Sequence, residues 1–111
     1  MAEFDIAAVL NSMTAAAAGV LQNKWPAIRS FATTEFQKIA QTVVTIGEGV
    51  AAGTITQEQA PILLDMQKNA SQAVLAALEG MTLIAAEQAV NAAIGAVKSA
   101  INAFVGFPLV L

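Results

Sequence analysis

The spacing of apolar residues leaves this chain little choice of fold. After Ile28, the residues Ala32, Phe36, Ile39, Val43, Ile46 and Val50 follow at steps of three or four, while Arg29, Thr33, Gln37, Lys38, Gln41, Thr45 and Glu48 lie largely off that line. This period belongs to an amphipathic helix, because a half-buried strand would alternate every second residue. Three further segments repeat it. Ile6, Val9, Leu10, Met13, Ala17, Val20 and Leu21 make a stripe over about 4–22. Leu63, Met66, Ala70, Ala73, Val74 and Ala77 read as the inward side of a helix over about 57–79. Leu83, Ala86, Val90, Ile94, Val97, Ile101 and Phe104 form the most regular stripe, over about 82–105.

Local signals mark the breaks. Trp25-Pro26 separates the first helix from the second, over about 26–50, since proline disfavours helical dihedrals before it and suits a first turn. Gly53 matches a left-handed C-cap, and Thr56 with Gln59 matches a capping box, with Pro61 tolerated in the first turn that follows. Gly80 either ends the third helix or sits within one long helix over 57–105. Gly106 and Pro108 stop the last helix and leave an apolar tail at 106–111. The expectation is a single all-α domain over 1–111, an antiparallel bundle or hairpin of three to four helices.

The stretch "VVTIGEGVAAG" at 43–53 carries the face of a dinucleotide-binding turn, G-x-G-x-x-A, with Asp65 near the position of a ribose-binding acid. The context refutes it. The connection to a second strand is too short for a parallel crossover, no further strands follow, and the helical period set at Ile28 runs into the glycines. Gly47, Gly49 and Gly53, with Thr56, are therefore read as a hinge where one helix frays and the chain turns back.

Composition then narrows function. Alanine supplies 25 of the 111 residues. A methyl group buries little area, so the core of such a chain is thin and burial against another copy is the natural remedy. The net charge is −3 and the five Lys and Arg residues are scattered, which leaves no basic stripe to track phosphates. Nucleic acid is not an expected partner. There is no His, Cys or Tyr. The chain thus lacks an unperturbed group titrating near neutrality, a thiolate nucleophile and cysteine-ligated zinc. The carboxylates Glu58 and Asp65, or Glu79 and Glu87, have no His with which to build a di-metal bundle site. Ser12, Ser30, Ser71 and Ser99 have no His-type base. No enzymatic activity, metal or cofactor is expected.

Glu3 and Asp5 stand where a secretory signal would carry positive charge, which gives a cytoplasmic or virion-type location as the expectation. The most apolar window, 92–111, is interrupted by Lys98, Ser99 and Asn102. A mid-membrane Lys costs roughly 2.5–3.5 kcal/mol on insertion scales, so a spanning helix is disfavoured. The composition resembles, in a general way, small Ala-rich helical proteins of phage and prophage modules; no motif is shared that would carry residue roles across.

The reading that follows is a non-enzymatic structural or assembly protein, a homo-oligomer joined through Ala-rich faces and the apolar tail. Its expected interface residues are Trp25, Phe104, Phe107, Leu109, Val110 and Leu111. The alternative is a membrane-associated or membrane-active helical protein of pore or holin type, and a weaker one is a carrier of an apolar ligand.

Overall fold

The computed structural model describes residues 4–111, so Glu3 lies outside the described residues. Five α-helices and no strand occur among them: α1 (Ile6–Leu21), α2 (Trp25–Ala52), α3 (Gln59–Ala76), α4 (Leu83–Ala96) and α5 (Lys98–Val105), with a 3₁₀ turn at Gln22–Lys24 between α1 and α2. The helix ends follow from local chemistry. The Asp5 carboxylate caps α1 by accepting from the Ala8 N–H at 3.1 Å. Pro26 occupies the first turn of α2, where its missing N–H would have no partner. Gly53, at φ 80°, ends α2. Its N–H donates to the Val50 carbonyl at 3.2 Å and the Thr54 N–H to the Gly49 carbonyl at 2.8 Å, the paired bonds of a Schellman motif.

The capping box is complete. The Thr56 N–H donates to Gln59 Oε1 at 2.9 Å, and the Gln59 N–H returns to Thr56 Oγ1 at 3.1 Å. Thr82 caps α4 by accepting from the Ala85 N–H at 3.1 Å. Gly80, at φ 81°, lies in the turn between α3 and α4, so 57–105 is not one helix.

The helices pack in chain order around a square. α1 lies against α2 and α4, and α3 against α2 and α4, whereas α5 crosses to α2. At a rise of about 1.5 Å per residue the 28 residues of α2 span about 42 Å, which is the long dimension of the 42 × 23 × 21 Å molecule. The most extensive backbone approach is between α1 and α4. The buried residues of these two helices include Ala17 in α1 and Ala86, Ala89 and Ala93 in α4, and small side chains are what let helix backbones come together. Met13, Phe36, Ile39, Val43, Ile46, Leu75, Val90 and Ile101 supply the bulk of the core.

Four expectations are corrected. α2 does not fray at Gly47 or Gly49; it continues to Ala52. The last helix is interrupted at Val97 (φ −115°, ψ 13°), which divides α4 from α5. The inward side of α3 is turned: Ala60, Leu64, Ser71, Gln72 and Leu75 are buried, while Met66, Ala70, Ala73, Val74 and Ala77 are exposed and Leu63 is half-buried. Both sets repeat at helical spacing, so α3 carries two apolar stripes and the bundle covers one. Leu83, expected inside, is also exposed.

Candidate interaction face

The outward stripe of α3 starts at Ile62 and continues through Met66, Ala70, Ala73 and Ala77. Ile62 is 61% and Met66 63% exposed, values far from those of core residues of their type. A groove between α2 and α3 adjoins this stripe. Its polar part, of about 440 Å³, is lined by Thr34, Gln37, Lys38, Gln41, Thr42, Thr45 and Gln67. Its more apolar part, of about 350 Å³, adds Ile46, Leu63, Met66 and Ala70. Phe31 is seven residues before Lys38 and Val74 seven after Gln67, so helical register places these two exposed side chains along the same groove.

Charge is sparse along this lining. Lys38 is its single charged residue, and its Nζ is committed to Glu35 Oε2 at 3.0 Å. Glu35 is buried, and Lys38 supplies the partner that a buried carboxylate requires. The buried Ser71 hydroxyl accepts from Gln67 Nε2 at 3.1 Å. No buried side-chain polar atom among the described residues is left without a partner. Apart from Lys38, the face therefore offers amides, hydroxyls and apolar groups.

The residues expected to form an interface are dispersed by the fold. Trp25 opens α2 and is half-buried against the core. Phe104 and Leu109 are 8% and 5% exposed, inside their own bundle. Phe107 and Val110 are half-buried, and Leu111 is exposed. The tail is held by Asn102, whose Nδ2 donates to the Val110 carbonyl at 2.9 Å and whose Oδ1 accepts from the Val110 N–H at 2.9 Å. The Phe104 ring lies over Gly47, where any Cβ would overlap it, and packs on Phe4 with ring centroids 5.0 Å apart. Ile55 lies over Gly49 in the same way. These two glycines are thus seats for side chains within an intact helix, while Gly53 and Thr56 make the turn.

Periodicity by itself places Met66, Ala70, Ala73, Val74 and Ala77 on the core side and so conceals the outward stripe. The signal that points to it is Ala60, Leu64, Ser71 and Leu75, a second set at helical spacing.

Among the described residues, no group of three or more acidic side chains is placed to hold a metal ion, and no helix is long and apolar enough to cross a membrane. No protein-family model matches the chain, and comparison with curated proteins and with solved structures gives no match.

Proposed function

We propose that this protein is a non-enzymatic structural or assembly protein that acts as a homo-oligomer, with the α2–α3 face as its principal contact. The observation that carries this reading is the uncovered apolar stripe of α3 from Ile62 to Ala77. A helix of a lone bundle needs one apolar face; a second face is selected when something covers it. The sparse charge of the adjoining groove matches the composition of interface centres, from which charged side chains are depleted. The tail, first expected to join subunits, is largely occupied by its own bundle, and the role passes to α3.

The membrane-associated reading draws on the same stripe with less support. Helices that lie in a lipid interface flank their apolar side with Lys and Arg. This stripe is flanked by Glu58 and Asp65, on a chain of net charge −3. A carrier of apolar ligands needs an enclosed chamber, and the α2–α3 groove is rimmed by exposed side chains.

Light scattering on the eluting protein tests the proposal. At micromolar concentration the wild type is expected to run as an oligomer. Met66→Lys should reduce it to a monomer with unchanged helical circular dichroism, since the side chain is exposed within the bundle. A wild-type monomer defeats the proposal.

A further inference from the structure

The α2–α3 face is graded in size along both of its helices. On α3, Ile62 and Met66 occupy the first two turns, and Ala70, Ala73 and Ala77 follow, with Val74 off this line beside the groove. On α2, exposed Phe31 stands near the start and exposed Ala52 at the end. Between them Thr34, Gln37, Gln41 and Thr45 are exposed and uncharged. The face is therefore two strips, amides and hydroxyls on α2 and apolar groups on α3, each bulky at one end only. The molecule measures 42 × 23 × 21 Å, so one long side offers roughly 900 Å², and a stable interface uses about 800 Å² per partner.

We infer that this face meets the same face of one other copy about a twofold axis that crosses α3 at Ala70, with α3 antiparallel to α3 and α2 antiparallel to α2. Thr42 lines one groove with Ala70, so the axis passes α2 beside Gln41 and Thr42. Ile62 is then set on Ala77 of the other copy, Met66 on Ala73 and Phe31 on Ala52. Large meets small at each contact, and such interdigitation fills an interface without overlap. A parallel pairing of α3 with α3 would set Ile62 on Ile62 and leave the alanines facing a gap. A twofold axis along the helices would lay α2 on α3 of the other copy, burying hydroxyls and amides against Met66 and alanine at a cost. Charge agrees with the antiparallel choice. Lys38 lies three residues before Gln41 and Glu48 seven after it, so Lys38 of each copy comes toward Glu48 of the other. A twofold contact uses the face once per chain and closes the assembly at two. The inference rests on the self-association reading of this face and adds the partner's orientation and the number of copies.

The chain has no cysteine, so single substitutions report proximity without background. Ala70→Cys, Ile62→Cys and Ala77→Cys each replace an exposed residue. The full-length variants are oxidised with diamide, and the disulfide-linked dimer is measured on a non-reducing gel. Ala70→Cys is expected to link to its own copy, because residues at the axis approach within the few ångströms that a disulfide spans. Ile62→Cys or Ala77→Cys alone should stay unlinked, since a rise of about 1.5 Å per residue holds each like pair more than about 20 Å apart. Mixed, these two should link to each other about tenfold more than either does alone. Self-linking of Ile62→Cys or Ala77→Cys, or an unlinked mixture, overturns the antiparallel twofold.

A size swap gives a readout that needs no disulfide. Ala73→Met alone sets two methionines at one contact and should weaken association about tenfold. Adding Met66→Ala to it restores large against small and should restore the wild-type dissociation constant; absence of that rescue overturns the register. Light scattering separates this inference from the reading beneath it. A wild-type monomer removes the α2–α3 association itself. A wild-type oligomer larger than two chains, or one whose cysteines link in another pattern, leaves that association and removes only the antiparallel pair.

Discussion

At Gly47 the space of a missing Cβ is taken by the edge of the Phe104 ring. Two effects compete if that Cβ is restored. Alanine is better than glycine in a helix by about 1 kcal/mol, whereas overpacking a filled core position costs about 1–3 kcal/mol. Overlap with a ring already confined by Phe4 should win, so Gly47→Ala is expected to destabilise by about 1 kcal/mol in urea denaturation. Gly95 is the internal comparison. It is in α4 with open space at its Cβ, and Gly95→Ala should stabilise by up to about 1 kcal/mol. Equal effects of the two substitutions would show that the notch is not occupied. The buried Glu35 follows similar logic: its carboxylate is tolerable because Lys38, four-fifths of a turn away on the same helix, reaches it at 3.0 Å.

At the level of elements, the start of α3 depends on the reciprocal Thr56 and Gln59 bonds. Thr56→Ala removes the hydroxyl that accepts from the Gln59 N–H and should lower stability by about 1 kcal/mol, read as a shift of the chemical-denaturation midpoint. An unchanged midpoint would mean that the Schellman turn at Gly53 suffices to place the helix. This box was legible in the sequence because its partners are three residues apart and need nothing from the rest of the fold. The turned face of α3 was not. Its two stripes have the same period, and periodicity identifies a helix without saying which side meets the bundle when both sides are apolar. The burial of Leu64 and Leu75 rather than Met66 and Val74 is settled by neighbouring helices. The interruption at Val97 does not break the apolar stripe; its trace in the sequence is Gly95 two residues before it and Ser99 two after.

For the molecule as a whole, the tail belongs to the stability of one bundle. Leu109 is buried, and Asn102 binds the Val110 backbone twice. Burying a leucine contributes about 1.5–3 kcal/mol and each hydrogen bond about 1 kcal/mol, so deleting residues 107–111 should lower unfolding stability by about 3.5–5 kcal/mol. A truncated chain as stable as the full one would return the tail to the role of a free interface. What the amino-acid sequence determined alone is what short-range chemistry controls: helical class from the three-to-four period, the stop at Gly53, the start at Thr56 and the stop at Gly106. The tertiary structure alone decided which side of α3 is covered and where the tail docks. Those outcomes depend on contacts between residues far apart in sequence, such as Gly47 with Phe104, and a local pattern of similar alternatives does not choose among them.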